Sequence, residues 1–333
     1  MGVAVADSTY QISSETEFDA NRAAFQDLWD RGVEGHFTGR RDVTIFYRTF
    51  TKPDGGPAVV ISNGRTESMI KYQEVIYDLY NNGYQVFILD HRGQGFSDRE
   101  PDLASDPSDE AWQIGDVKNF DHYVDDLKLF VDSVVMPTEP SKLFLLAHSM
   151  GGGIASLYLI RHPDVFDAAA MTSPMHRPNG MTWLSCGAVR AIASLGMGRW
   201  STIGSSAFKK TDPKENSLSQ SAIRVNWFNE FTETIPKIRI GPVSNRWIVE
   251  ACKLADRLPK EAGQIRTKLL ILQASEDSIV SGEAHNVFCA AVNEATPGRC
   301  RLESIVGAKH EILVEKDDYR THAMTKILDH FKK

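Results

Sequence analysis

Two hydrophobic periods alternate along this chain. Mainly apolar runs at 58–62, 84–89, 143–146, 167–172 and 268–274 read as strands of a buried sheet, 58–62 as a central one covered on both faces. Between them apolar residues recur three and four positions apart, the spacing of one helix face. Tyr72, Val75, Ile76 and Leu79 form one such set, and Tyr123, Leu127, Phe130 and Val131 another. A further helical pattern begins at Ile154. Asn81-Asn82-Gly83 and Pro174 punctuate these units, and Pro53-Asp54-Gly55-Gly56 is a turn. Strands that alternate with helices pair in parallel, so this part of the chain predicts a mostly parallel central sheet flanked by helices. Two strands at 35–38 and 43–50, joined by a charged turn at 40–42, precede it. A helix at 282–292, a strand at 301–306 and a helix at 317–331 complete it.

The rhythm stops between 175 and 246, where Gly, Ser and Trp are frequent. That segment reads as an inserted, mainly helical cap. The organisation expected is therefore a first part of the core at 1–174, the cap at 175–246 and a second part of the core at 247–333. Residues 1–30 are polar and acidic, and are expected to form a loosely packed arm with a helix at 20–30. Residues 98–116, acidic and Pro-bearing, are expected to form a long surface loop.

Composition narrows the function. A chain of 333 residues can bury a full core, as one large domain or about two smaller ones. Its net charge of −7 offers no basic field for nucleic acid. The four cysteines, Cys186, Cys252, Cys289 and Cys300, are scattered with no Cys-x-x-Cys. Neither a zinc site nor a disulfide framework is expected from them, and free thiols in a reducing cytoplasm are. Asp7, Glu15, Glu17 and Asp19 break any apolar leader, and no stretch of about 18 uncharged apolar residues could span a membrane.

The candidate chemistry centres on Leu143-Phe144-Leu145-Leu146-Ala147-His148-Ser149-Met150-Gly151-Gly152-Gly153. A buried strand runs into small residues, and a helix follows. This order describes a nucleophile elbow, which pushes one hydroxyl, here that of Ser149, out at the top of a sheet. Residues two before and two after the nucleophile must be small. Here they are Ala147 and Gly151, where the common pattern has glycine at both. A serine needs a base, and the base needs an orienting carboxylate. In chain order the acid follows a later strand and the histidine comes last. Asp277 lies just past the 268–274 run, with Glu276 as its neighbouring rival, and His310 just past the last strand. His148 is expected to point away from Ser149. His91 and His162 are expected to be structural, and His322 and His330 solvated. Two backbone N–H groups must receive the oxyanion: Met150, after the nucleophile, and Arg65, in the loop after 58–62. The Arg65 side chain is expected to pair with Glu67 or Asp90, with a phosphate or glyceryl group as the alternative partner.

Asn63-Gly64-Arg65-Thr66-Glu67-Ser68, Asp90-His91-Arg92-Gly93-Gln94-Gly95-Phe96-Ser97, Tyr123-Val124-Asp125-Asp126-Leu127 and the elbow together resemble bacterial lysophospholipases. These are close relatives of monoacylglycerol lipases in the serine α/β-hydrolase family. The resemblance is strongest over 57–176 and resumes at 268–315. It implies an α/β-hydrolase fold, a triad of Ser149, Asp277 and His310, and oxyanion donors at Arg65 and Met150. It implies hydrolysis of one acyl ester of a lysophospholipid or monoglyceride, with no metal or cofactor. The segment 90–97 is implied to be a structural turn beneath the site. Monoglyceride lipases usually carry His-Gly where this chain has Asn63-Gly64, which favours the lysophospholipase branch. A monoacylglycerol lipase or small-ester carboxylesterase, a transacylase and a catalytically silent ligand-binding member of the same fold are the alternatives.

The cap has its own charge. Residues 181–246 hold nine Lys and Arg against four Asp and Glu. Met181, Trp183, Leu184, Val189, Ile192, Leu195, Met197 and Trp200 add apolar surface. A basic, Trp-bearing cap suits peripheral contact with an anionic membrane, on its inner, cytoplasmic face. The alternative is that these side chains close over the core.

Overall fold

The computed structural model describes residues 10–100 and 110–332. Helix α1 (Phe18–Arg31) precedes strands β1 (Val33–Thr38), β2 (Thr44–Phe50) and β3 (Ala58–Ser62). Then come α2 (Gln73–Asn81), β4 (Gln85–Leu89), α3 (Asp121–Phe130), β5 (Leu143–His148), α4 (Met150–Arg161) and β6 (Ala168–Thr172). Helices α5 (Trp183–Ile192), α6 (Ala222–Thr234) and α7 (Asn245–Glu261) lie between β6 and β7 (Lys268–Ala274). The chain ends with α8 (Gly282–Ala295), β8 (Cys300–Ile305) and α9 (Asp317–Lys332). The eight strands form one sheet in the order β1-β2-β4-β3-β5-β6-β7-β8. The β1–β2 and β2–β4 pairs are antiparallel, and every other pair is parallel. The mostly parallel, helix-flanked sheet is thus the one the apolar runs predict.

Alternate residues of each central strand go to opposite faces, as the pleat requires. Val60, Leu145, Ala147, Met171 and Ile271 meet α3, α4, α7 and α8 on one face. Val59, Ile61, Leu146, Ala170 and Leu272 meet α2 and α9 on the other. Both faces are covered, so the strands are apolar throughout and not alternating. Parallel register brings the carboxyl ends of β3 and β5 level, with Ser62 paired to Ala147. Loops leaving that edge converge, and ligands of such sheets bind there.

Three expectations need correction. The amino-terminal arm is well packed where it is described. Phe18 and Phe25 are fully buried against Trp227 of α6, and Ser13 donates to the Asp78 carboxylate of α2 (2.8 Å). Polar residues between the aromatic ones masked that anchor in the sequence. In the expected surface loop at 98–116, residues 101–109 lie outside the described residues. On either side of them Arg99, Glu100, Trp112 and Asp116 are buried, and the Arg99 guanidinium donates to the carbonyl oxygens of Trp112 and Lys237.

The third correction concerns the thiols. Cys186 of α5 is bonded to Cys252 of α7, and Cys289 of α8 to Cys300 of β8. Linear spacing gave no sign of this, because packing of α5 on α7 and of α8 on β8 brings the partners together. No free thiol remains among the described residues to indicate a reducing compartment. The first pair spans 66 residues and the second 11. Replacing Cys186 and Cys252 together by alanine is expected to lower unfolding stability by about 4 kcal/mol on the chain-entropy account, and Cys289 with Cys300 by about 3 kcal/mol. Denaturant titration of both variants measures the difference. Among the described residues no helix is long and apolar enough to cross a membrane.

Candidate active site

Ser149 stands between β5 and α4 with φ 51° and ψ −120°, a region that L-residues rarely occupy. Four backbone bonds hold it there. Its N–H donates to the Thr172 carbonyl, and its own carbonyl accepts from the N–H groups of Gly152, Gly153 and Met175. The turn lies hard against the end of β3. A Cβ on Gly151 would sit 2.1 Å from the Ser62 carbonyl oxygen and 2.5 Å from that of Asn63. Both are backbone atoms and cannot swing aside. Gly151→Ala is expected to cost at least about 3 kcal/mol in denaturant titration, the upper range for overpacking. The Ala147 methyl is fully buried between β3 and β6, so its departure from glycine is accommodated.

His310 follows β8 through a turn at Gly307 (φ 87°). Its Nε2 accepts from the Ser149 hydroxyl (2.8 Å), and its Nδ1 donates to Asp277 Oδ2 (2.8 Å). Asp277 leaves the end of β7, and its Oδ1 accepts from the N–H groups of Ile279 (2.8 Å) and Val280 (3.1 Å). Burial pushes the Asp277 carboxyl up, but the bond to His310 and these amides outweigh it and hold the carboxyl below its ordinary range. Glu276 is exposed and its backbone N–H is tied to Ala308, so the shorter neighbouring acid meets the imidazole.

The other histidines divide. His91 is buried, its Nε2 2.9 Å from Ser62 Oγ, and burial pushes its pKa down to about 3. His162 is half-buried beside the Tyr158 ring at the end of α4. His322 is exposed, but His330 is buried, with Nε2 3.3 Å from the Lys268 carbonyl oxygen. His148 does not point away from the site. Its ring centroid lies 5.0 Å from that of His310, and its Nδ1 bonds Thr172.

The loop after β3 faces the elbow. The Met150 N–H is the first of α4 and has no intrahelical acceptor. The Arg65 N–H bonds no acceptor among the described residues. Two buried carboxylates fix this loop. Asp90 accepts from Asn63 Nδ2 (3.0 Å), Ser68 Oγ (2.9 Å) and the N–H groups of Met69 (2.6 Å) and Phe96 (2.8 Å). Burial pushes the Asp90 carboxyl up to about 6. Glu67 accepts from the Gly64 N–H (2.6 Å) and Tyr72 hydroxyl (2.6 Å). Lys71 then bridges Glu67 (2.8 Å) to Glu311 (2.6 Å), the residue after His310. Sequence reading missed this bridge, although the adjacency of Glu311 to His310 was a signal. Arg92 grips Asp126 of α3 with two bonds (2.7 and 2.8 Å) beneath the site.

The Arg65 guanidinium pairs with neither Glu67 nor Asp90, contrary to expectation. Its Nη2 donates to the Gly241 carbonyl oxygen (2.6 Å) and it lies over the Trp247 ring (5.7 Å). Glu67 is already engaged by Lys71 and Asp90 by backbone. Ser149, His310 and Arg65 open into a cavity of about 290 Å³ walled by Met175, Pro178, Val243, Trp247 and Ile248. A hydroxyl hydrogen-bonded to an oriented imidazole, at the floor of an apolar cavity, can attack an acyl carbon.

A family model described as "Hydrolase_4: Serine aminopeptidase, S33" matches residues 54–317. Lysophospholipase L2 of Escherichia coli (strain K12) is 36% identical over 322 residues, covering 92% of this chain and 89% of that protein. The probable lysophospholipase L2 of Haemophilus influenzae is 31% identical over 303 residues, covering 89% and 90%. A solved structure of a soluble variant of monoglyceride lipase from Saccharomyces cerevisiae, bound to a substrate analog, superposes with a TM-score of 0.68 at 18% identity. That match covers 90% of this chain and 96% of the other and bears on the fold alone.

Proposed function

Because the chain belongs to the serine aminopeptidase S33 family of hydrolases and is a carboxylic ester hydrolase of α/β-hydrolase fold, we propose that it cleaves the acyl ester of lysophospholipids. The observation that carries this reading is the run of 2.8 Å contacts from Asp277 through His310 to Ser149, in a chain 36% identical to a lysophospholipase L2. Ser149 Oγ attacks the acyl carbon as His310 Nε2 takes its proton. The oxyanion falls to the N–H groups of Met150 and Arg65. The imidazolium, held by Asp277, then protonates the departing glyceryl oxygen, leaving an acyl-Ser149 ester. Water, deprotonated by His310, repeats the attack and frees the fatty acid. A panel of lysophosphatidylcholine, monoacylglycerol of the same acyl chain and a short nitrophenyl ester tests this on wild type and Ser149→Ala. The lysophospholipid is expected to show the highest kcat/KM. Preference for the monoglyceride, or transfer of the acyl chain to lipid in place of water, would overturn it.

The cap supports a second element, peripheral contact with anionic membrane. Trp183 (82% exposed), Leu195 (75%), Trp200 (66%) and Ile203 (91%) face solvent and do not close over the core. Exposed apolar side chains on a net basic segment suit a lipid interface. Binding to phosphatidylglycerol vesicles at low salt, with weaker binding to phosphatidylcholine vesicles, is the expected result; equal, weak binding to both would exclude it.

A further inference from the structure

Buried cations in this molecule are matched with carboxylates. Lys71 holds Glu67 and Glu311, Arg92 holds Asp126, Arg224 holds Glu74, and Arg320 holds Asp78. Arg99 has no such partner among the described residues but donates to four carbonyl oxygens. Arg65 has neither arrangement. Among the described residues it donates to one carbonyl oxygen, that of Gly241, and its Nε is buried without a partner. No carboxylate bonds it among the described residues. Arg65 as a whole is half-buried, and the desolvation of its guanidinium, with no carboxylate beside it among the described residues, pushes its pKa down to about 10. A charge partly withdrawn from water and not paired within the protein is stabilised by an anion that reaches it.

The position of Arg65 says which anion. It lines the same cavity as Ser149, and its side chain reaches from there to the Gly241 carbonyl oxygen. Gly241 lines a second cavity, of about 310 Å³, which shares Thr66, Leu218 and Glu311 with the first. The second cavity is more polar than the first, with Asn216, Asn229 and the exposed Lys209 set among apolar residues such as Phe208 and Phe228. The carboxylates of Glu67 and Glu311 also face this region, but both are engaged by Lys71. In a lysophospholipid a three-carbon glyceryl unit separates the acyl ester from the phosphodiester. With the ester carbonyl at the elbow, the phosphate therefore falls about one long side chain away.

We propose that the Arg65 guanidinium binds the phosphodiester of the substrate, and that the adjoining, more polar cavity takes the headgroup beyond it. Arg65 is then the residue that separates phospholipid from neutral glyceride. The proposal rests on the hydrolase reading above. Its test is the ratio of kcat/KM for lysophosphatidylcholine to that for monoacylglycerol of the same acyl chain. Arg65→Met is expected to lower the ratio about 30-fold, and Arg65→Lys, which keeps the charge but loses the planar fork, by less. A ratio that moves less than threefold in Arg65→Met would assign Arg65 a structural role and overturn the proposal. A second measurement uses wild type alone and a short nitrophenyl ester, so it holds even where the variant misfolds or lysophospholipid is not the substrate. Glycerol 3-phosphate is expected to inhibit competitively and glycerol not to. Lack of inhibition by glycerol 3-phosphate, or equal inhibition by inorganic phosphate, would overturn the headgroup site. Failure on lysophosphatidylcholine with inhibition intact would overturn the lysophospholipase reading instead.

Discussion

Alanine in place of Ser149 is expected to lower kcat by about 10⁶-fold and leave the fold intact. Ser149 Oγ contacts His310 Nε2 at 2.8 Å and is the hydroxyl that faces the cavity. On the proposed mechanism its removal takes away the nucleophile and also the group through which His310 acts. The main-chain bonds that hold φ at 51° do not involve the hydroxyl, so the elbow persists. One buried hydrogen bond is lost, worth about 1 kcal/mol of stability. Ester hydrolysis, labelling by a fluorophosphonate probe and thermal melting should be read together. Activity within tenfold of wild type, in a variant that melts normally, would remove Ser149 from the chemistry.

Asp277→Asn should lower kcat by about 10⁴-fold. The Asp277 carboxylate accepts from His310 Nδ1, which leaves Nε2 free to accept from Ser149. An asparagine can turn its amide N–H toward Nδ1 and favour the opposite tautomer, with the proton on Nε2 facing the serine. Geometry is then kept and basicity lost. The Asp277 carboxyl is held below the usual carboxylate range, so it stays ionised in mild acid. Its contribution is lost only as pH falls below that range, and an acid limb of the activity profile at higher pH belongs to another group. A variant with kcat within threefold of wild type across the pH range would contradict this.

How much of this could be read from residues alone depends on how local the cause was. The runs that became β3, β4, β5, β6 and β7 were visible because burial on both faces makes a strand apolar throughout. The meeting of Ser149, Asp277 and His310 could be foreseen because each sits just past a strand of one parallel sheet, and such ends share an edge. Features that depend on packing between distant segments were not visible. The Cys186–Cys252 bond depends on α5 lying against α7. His330 is buried because α9 lays it against β7, although the residues around it read as a solvated helix end. Arg65 has acids at Glu67 and Asp90 nearby in sequence or space, yet Lys71 and the backbone reach those acids first. A sequence shows which charges are available and not which of several partners each one takes.

The Lys71 bridge has a mechanical consequence. Glu67 anchors the loop that presents the Arg65 N–H, and Glu311 adjoins the imidazole, so a single ammonium is the common fastening of both. On the proposed mechanism, the cradle for developing negative charge and the proton carrier are thereby joined by a short ionic strut as well as through the sheet. Such a strut resists any change in their separation, the dimension on which transition-state fit depends.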